Sequence, residues 1–264
     1  MTLVLSITTA VGFIAVLVLA WLLVRERARR HERNFVGRWP ILPVLPEEID
    51  PVFRPGIFGP GRETEVLFVG RGPYVVDGGT TDGEAWILAA LAKNAHRLFV
   101  FGTCTGKTAY LWARNAPEDA RITTITLAPE HRGGYQKSAT DDDRDIAFAL
   151  TESNYDAFLY TGTEVAHKVE QLFGDSKTLD VAAWAGTCDL VFVDGSHAYS
   201  YVVSDTEKAL QLVRPGGLVL WHDYAGPRHS LGVFRALNEL ATRLPVVRIK
   251  GTALVAYRRP AGNT

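Results

Sequence analysis

Acidic and imidazole side chains occur in two clusters, each placed where an uninterrupted apolar run ends. The runs are residues 190–193 and 218–221, and the residues that follow them are Asp194, His197, His222 and Asp223. An imidazole can take a proton from a hydroxyl group, and oxygen ligands favour Mg²⁺. We predict that these four residues are catalytic and that Asp194, Asp223 and His222 hold a divalent cation. The alternative is that both carboxylates only accept backbone N–H groups at the strand ends.

The elements that would position these residues form one strand–helix–strand unit, from Cys188 to Tyr224. Both apolar runs are typical of parallel strands that are buried on both faces. Between them, apolar residues from Tyr201 to Val213 recur near the period of a helix, which Pro215 and the two following glycines end. A right-handed crossover places the carboxyl ends of parallel strands at one edge of the sheet, so we expect the two clusters to converge.

A glycine turn follows an earlier apolar run, residues 98–101. Its sequence from Gly102 is GTCTGKT, and a helix is predicted after it, from Ala109 to Arg114. Such turns hold anionic or polar cofactors, so the candidate cofactor-binding residues are Gly102, Thr103, Cys104 and Gly106. A phosphate-binding loop needs four residues between its first glycine and Gly-Lys-Thr, and this turn has three. A tight turn without a ligand is a further alternative, although the first strand of a doubly wound sheet lies beside its ligand site.

The helix before this turn, Ala85 to Asn94, begins with the pattern of a capping box. Thr81 is the predicted N-cap, and Glu84 stands three residues later. Capping explains Glu84 by itself. A role beside the cofactor is the alternative, because this helix leads directly into the first core strand.

The remaining elements complete an α/β pattern. They are a strand at Arg121–Leu127, a weaker unit with a strand at Phe158–Thr161 and a helix around Val165–Phe173, a helix at Val233–Leu244, and a hairpin of Val246–Ile249 and Ala253–Tyr257. The acidic run from Asp141 to Asp145 is predicted to be a solvated helix start without a ligand. The expected fold is therefore a doubly wound, mostly parallel sheet.

The chain begins with an apolar segment, Leu3 to Val24, that carries no charge. It is long enough to cross a hydrocarbon core of roughly 30 Å as a helix. Five arginines lie between residues 25 and 33 and none precedes the segment, which by the positive-inside rule places the rest of the chain in the cytoplasm. A cleaved signal peptide would carry its charge on the other side. We predict a single-pass membrane anchor at residues 1–34 and a cytoplasmic catalytic domain.

Proline-rich sequence separates the anchor from the domain. Six prolines between residues 40 and 60 predict an extended linker at 35–62, followed by a small hairpin within residues 65–76 and a domain at 63–260. The 264 residues, 47% hydrophobic with a net charge of -1, suit one large domain with no indication of nucleic-acid binding. Cys104 and Cys188 are predicted to be unpaired, as a reducing cytoplasm allows.

These motifs resemble those of class I S-adenosylmethionine-dependent methyltransferases, and within them the small-molecule O-methyltransferase-like group. The residues that carry the resemblance are DGSHAY at 194–199, RPGG at 214–217 and HDY at 222–224, and the likeness extends from Ala85 to Tyr257. It implies a Rossmann-like sheet of seven strands whose one antiparallel strand comes from the terminal hairpin. It also implies methyl transfer from S-adenosylmethionine to an oxygen of a small acceptor, and the predicted anchor adds a lipid-linked acceptor to the expectation.

The resemblance assigns roles to several residues. The turn from Gly102 to Gly106 would lie against the methionine part of the cofactor, with Asp194 also at the cofactor. A divalent cation would be held by Asp194 and Asp223. His197 or His222 would act as the base.

Two positions depart from the family pattern. The acid expected two residues before the glycine turn is Val100, and the acid expected to hold the ribose at the end of the second strand is Thr126. A threonine hydroxyl cannot bind a diol as a carboxylate does, so we expect weaker or altered cofactor binding. Two alternatives follow: a binding module without catalysis, and a hydroxylase whose Fe(II) is held by His197, His222 and Asp223.

Overall fold

The computed structural model describes residues 12–24, 41–54, 56, 64–66 and 78–262. The chain divides into two compact units, residues 1–39 and 40–264. In the first, residues 12–24 form helix α1, whose apolar side chains, Leu17 and Trp21 among them, are exposed. None of the helices in the described ranges is long and apolar enough to cross a membrane. Residues 1–11 and 25–34 of the predicted anchor and residues 67–76 of the predicted hairpin lie outside the described residues. Both therefore stay predictions.

The second unit alternates strands with helices. Its strands are β1 (Pro43–Val44), β2 (Arg97–Phe101), β3 (Arg121–Thr126), β4 (Val169–Phe173), β5 (Cys188–Val193), β6 (Val213–Trp221), β7 (Val247–Ile249) and β8 (Val255–Arg258). Its helices are α2 (Pro46–Ile49), α3 (Asp82–Ala92), α4 (Lys107–Asn115), α5 (Asp143–Glu152), α6 (Tyr199–Leu212) and α7 (Leu231–Leu240). Helix α3 begins with the predicted capping box of Thr81 and Glu84.

These strands form one sheet in the order β1-β7-β8-β6-β5-β2-β3-β4. Strand β8 is antiparallel to β6 and β7, and the other neighbours pair in parallel. The doubly wound, mostly parallel sheet is thus confirmed. The chain proceeds from β2 outward to β3 and β4 on one side and returns to β5 and β6 on the other, so the switch point lies between β2 and β5.

The sheet has eight strands in the described part of the chain, and the prediction of seven is wrong. The additional strand is β1, where Pro43 and Val44 pair with Arg248 and Ile249 of β7. Two residues, one of them a proline, are too short a segment to show the alternation that identifies a strand.

Part of the predicted linker packs on the domain. Within residues 41–54, Ile49 and Phe53 are buried in the main hydrophobic core. Arg258 of β8 donates to the carbonyl oxygen of Ile49 at 2.7 Å and forms an ion pair with Asp50 at 2.5 Å. These contacts make residues 41–54 part of the second unit, so its beginning lies well before residue 63.

The third predicted unit differs from the structure. A helix was expected around Val165–Phe173, but residues 169–173 form strand β4, which pairs with β3. Residues 158–161 are not a strand; the amide of Leu159 donates to the carbonyl oxygen of Thr105 at 2.9 Å, and the segment packs on the glycine turn. Short apolar runs do not distinguish helix from strand by period, and here tertiary pairing decides.

Candidate active site

Two neighbouring strands bring the predicted clusters together. Strands β5 and β6 are parallel, and their last residues, Val193 and Trp221, are partners in register. Asp194 and His222 therefore leave the sheet side by side. Nδ1 of His222 lies 3.0 Å from Oδ1 of Asp194.

Asp223 is surrounded by three imidazoles. Its Oδ2 lies 2.8 Å from Nε2 of His197 and 3.2 Å from Nδ1 of His222, and its Oδ1 lies 2.9 Å from Nε2 of His229. Its backbone has a φ of 59°, in the left-handed region that few non-glycine residues adopt. The surrounding contacts hold this conformation, which directs the carboxylate to all three rings. His229 was not found from the sequence, because it lies on a loop outside the motifs.

Burial and neighbouring charges shift the pKa values of the residues in this cluster. Burial alone would lower the pKa of His222, but the carboxylates of Asp223 and Asp194 raise it well above its ordinary value. Burial would raise the pKa of Asp223, but His222 and its hydrogen bonds with imidazoles hold it well below the ordinary range. The pKa of Asp194 is raised, chiefly by burial. Asp223 and Asp194 thus favour the protonated form of His222.

The pKa of His197 is raised as well, in the same direction as that of His222. Its ring is buried, which lowers the pKa, but the hydrogen bond and charge of Asp223 raise it by more. The ring of Phe148 stacks on His197 with centroids 4.7 Å apart. His197 is therefore fixed in orientation and coupled to one carboxylate.

Glu84 links the α3 cap to this cluster. Its Oε2 accepts from the amide of Thr81 at 2.8 Å, its Oε1 accepts from the amide of Ala253 at 2.7 Å, and Oε2 lies 3.5 Å from Nε2 of His222. Although burial opposes it, the bond and charge of His222 and the two amides lower the pKa of Glu84 to about 2. The capping interpretation is confirmed, and the same carboxylate also faces His222.

Two adjoining pockets open at this edge of the sheet. The first has an empty volume of about 550 Å³, its mouth included, and its walls include Gly102, Thr126, Tyr135, Asp175, Tyr201 and Asp205. The second includes Thr103, Lys107, Phe148, His222, Asp223 and His229. Gly102, Cys104, Glu152 and Asp194 line both. We call the meeting place of the pockets, defined by these four residues, the junction.

The glycine turn supplies part of both pockets, but its glycines also have packing reasons. A Cβ on Gly102, whose φ is 96°, would lie 2.1 Å from the carbonyl oxygen of Asp194. A Cβ on Gly106 would lie 2.8 Å from the ring of Tyr160, and Gly106 lines neither pocket. Val100 is buried in the core and likewise lines neither pocket. Of the cofactor-binding residues predicted in the turn, Gly102, Thr103 and Cys104 therefore line a pocket and Gly106 does not.

Several pocket residues were missed by the sequence reasoning. Asp175 follows β4, and recognition of that strand would have identified it as another polar residue at a strand end. It accepts a hydrogen bond from the hydroxyl of Tyr201 at 2.9 Å, and Tyr135 stacks on Tyr201 at 4.4 Å between centroids. Glu152 is the last residue of α5, where no motif marks it.

The first pocket has the chemistry of a nucleoside-cofactor site, with a few polar groups on an otherwise apolar wall. Asp175 and Glu152 supply carboxylates that can accept from an amine or a diol, and Thr126 adds a hydroxyl. S-adenosylmethionine, an amine-bearing nucleoside with a cationic sulfur, matches this acceptor-rich wall.

The charged cluster also fits a divalent cation. Asp194, His222 and Asp223 each offer one ligand atom, and these atoms lie within 4.8 Å of one another. In the described residues this grouping does not include His197. Asp223 contacts both His197 and His222, so the set of two histidines and one carboxylate considered for Fe(II) stays a prediction.

Comparison with known proteins bears on this site. The model of a family described as a methyltransferase domain matches residues 99–224. Among solved structures, the O-methyltransferase TomG of Streptomyces achromogenes, involved in tomaymycin synthesis and solved with SAM, is 25% identical, with 69% of this chain and 82% of that chain covered and a TM-score of 0.44. An O-methyltransferase from Bacillus cereus in complex with SAH is 18% identical, with 69% and 84% covered and a TM-score of 0.46. No curated protein matches the chain.

The fold and the site define a class: an α/β enzyme with a nucleoside-cofactor pocket at the switch point of a doubly wound sheet. The matched segment, residues 99–224, runs from β2 through the glycine turn to the HDY motif. Over this segment, just under half of the chain, the protein is thus similar to a methyltransferase domain, for which S-adenosylmethionine is the expected methyl donor.

Proposed function

We propose that the protein transfers a methyl group from S-adenosylmethionine to an oxygen of a small or lipid-linked acceptor. The observation that carries this proposal is the position of the carboxylate–imidazole cluster in the second pocket, directly beside the junction. The cofactor supplies an electrophilic methyl group. An acceptor hydroxyl held in the second pocket would then face Asp223, whose carboxylate lies 2.8 Å from His197.

His197 is the proposed base. Both ring nitrogens of His222 face carboxylates, which stabilises its protonated form. His197 instead has Asp223 as its carboxylate partner, at 2.8 Å. When His197 takes the acceptor proton, Asp223 stabilises the resulting imidazolium, and the acceptor oxygen gains nucleophilicity.

A divalent cation is proposed at Asp194, Asp223 and His222. The two carboxylates suit Mg²⁺, and coordination by His222 would require its proton to be released. Such a cation would hold the acceptor oxygen and lower the pKa of its hydroxyl. Asp194 and Asp223 are at the ends of adjacent strands, so the sheet itself sets their separation.

The anchor is proposed from the sequence and from α1. Residues 3–24 carry no charge, arginines follow them, and the described part of α1 exposes apolar side chains. This arrangement supports a membrane location with the domain in the cytoplasm, where anionic lipids favour a basic flank. A tethered enzyme meets lipid-linked acceptors at a raised local concentration.

Calorimetric titration of the full-length protein with S-adenosylmethionine tests the function. We expect binding, and we expect Gly102→Val to abolish it because the added Cβ collides with Asp194. Gly133→Val is the matched control, since its Cβ meets no atom within 4 Å. Thermal unfolding separates lost binding from lost folding. No binding to the wild type at millimolar cofactor would refute the proposal, and binding without methyl transfer would favour a non-catalytic module.

A further inference from the structure

A carboxylate from a helix outside the sequence motifs stands at the junction of the two pockets. Glu152 ends α5, and it lines both pockets together with Gly102, Cys104 and Asp194. Its Oε1 lies 4.0 Å from Sγ of Cys104, in the glycine turn. Glu152 thus faces the turn where the resemblance places the methionine part of the cofactor.

Helix α5 is held in place by contacts along its length. Asp145 accepts from the amide of Gly232 at 2.9 Å, at the start of α7, and Ile146 packs against Ala198 and Tyr201. Phe148 stacks on His197. Because these contacts fix the helix over the strand ends, the position of Glu152 is set by the domain.

Glu152 has no ion-pair partner in the described part of the chain, although the charges of His197 and His222 act on it in part. Within the residues that the structure describes, no lysine, arginine or histidine forms an ion pair with it. Burial, followed by the charge of Asp194, raises the pKa of Glu152 to about 7. A buried carboxylate beside another is unfavourable until a positive charge arrives between them.

We propose that Glu152 is a positioning residue for the cationic sulfonium of S-adenosylmethionine, and that it makes the site prefer this donor over its uncharged-sulfur product, S-adenosylhomocysteine. The inference rests on the proposed function. A transferable methyl group must lie where the cofactor pocket meets the acceptor pocket, and the junction is that place. Glu152 thereby supplies, from α5, a carboxylate at the cofactor site that Val100 and Thr126 do not provide.

The experiment compares the affinities of the two ligands by calorimetry of the full-length protein. In Glu152→Gln we expect about a fivefold or greater loss of S-adenosylmethionine affinity and less than about a twofold change for S-adenosylhomocysteine. Glu152→Asp, which keeps the charge, should retain more of the preference. Asp175→Asn is the matched control: this carboxylate lines only the first pocket of the two, so both ligands should weaken by similar factors.

Two results would overturn the inference. Equal losses for both ligands in Glu152→Gln would indicate a role at the ribose or the ammonium group, and no loss would indicate no role. The unliganded Gln variant should unfold at the wild-type temperature or higher, since it removes repulsion with Asp194, whereas a merely structural residue would lower that temperature. If the wild type binds neither ligand, the proposed function fails instead.

Discussion

Nδ1 of His222 and Oδ1 of Asp194 lie 3.0 Å apart, although the two residues are 28 positions apart in the chain. The parallel register of β5 and β6 creates this contact, and Oδ2 of Asp223 approaches the same nitrogen at 3.2 Å. His222 occupies the centre of a buried charge cluster. Its removal has consequences for stability as well as for chemistry.

Replacement of His222 by glutamine should destabilise the fold. The variant leaves Asp194 and Asp223 without their shared imidazolium, and breaking a buried ion pair from one side costs about 3–5 kcal/mol. Denaturant unfolding at neutral pH measures the loss. His131→Gln, at an exposed position, should change stability by less than about 0.5 kcal/mol. A loss below about 1 kcal/mol in His222→Gln would contradict the central role of this imidazolium.

The same cluster predicts how stability depends on alkaline pH. Because the folded-state pKa of His222 is raised, its contribution is fully present below the unfolded value of about 6.5 and is lost as pH rises through the higher folded value. The stability difference between wild type and His222→Gln should therefore shrink towards alkaline pH. Thermal unfolding over a pH series measures it, and a difference that grows with pH would argue against the assignment.

Glu84 predicts the opposite dependence, at acidic pH. Its pKa falls from 4.5 to about 2 on folding, so it contributes stability above about 4.5 that is lost as pH falls towards 2. Glu84→Gln should lose about 3 kcal/mol at neutral pH and much less near pH 2. Glu130→Gln, an exposed glutamate, serves as control. An equal loss at both pH values would assign the effect to packing and not to charge.

The proposed base predicts a pH-dependent rate. His197 must be neutral to accept a proton, and Asp223 raises its pKa against the effect of burial, so kcat/KM should rise with pH through a value above 6.5. In His197→Gln this rise of kcat/KM with pH should disappear, and the rate should fall by about 10²–10⁴-fold. Asp223→Asn should move the rise to lower pH. The exposed His167→Gln should keep the wild-type profile, and an unchanged profile in His197→Gln would exclude this base.

The proposed cation predicts a metal dependence. Asp194→Ala should weaken Mg²⁺ binding by more than about tenfold, measured by calorimetry and by metal content after dialysis. Asp119→Ala is the control, because this aspartate is exposed and remote from the pockets. If Asp194→Ala leaves both metal content and thermal stability unchanged, the site is absent.

Deletion of residues 1–33 tests the proposed tether. We expect the shortened protein to leave the membrane fraction, to keep its affinity for S-adenosylmethionine, and to lose activity on its native acceptor in membranes. Sedimentation, calorimetry and a methylation assay on membrane fractions measure the three effects. A shortened protein equally active on that acceptor would refute the tethering role.

Local patterns in the sequence were sufficient for most of the fold. The apolar runs that became β2, β5 and β6 and the capping box of Thr81 and Glu84 are short-range signals with a direct physical cause. The predicted helix end at Pro215 and the two following glycines is wrong, because α6 ends at Leu212 and these residues belong to β6. The same signals predicted that Asp194 and His222 would meet, because the crossover rule relates strand ends without any knowledge of side-chain packing. Strand β4 was predicted as a helix, because its five residues have no period that distinguishes a strand from a helix.

Long-range packing decided the rest of the site. Three residues line the pockets from elements that no motif marks: Glu152 from a helix end, His229 from a loop and Asp175 from the segment after β4. Glu84 also lies near His222, although its position as a helix cap was sufficient to explain it from the sequence. No local spacing connects these residues to the motifs, since their approach depends on how α5 and α7 cross the sheet edge. The sequence by itself therefore determined which strand ends carry the polar cluster and which residues lie at its centre. Only the tertiary structure decided which further charges surround them, because charge interactions depend on distance in space and on burial.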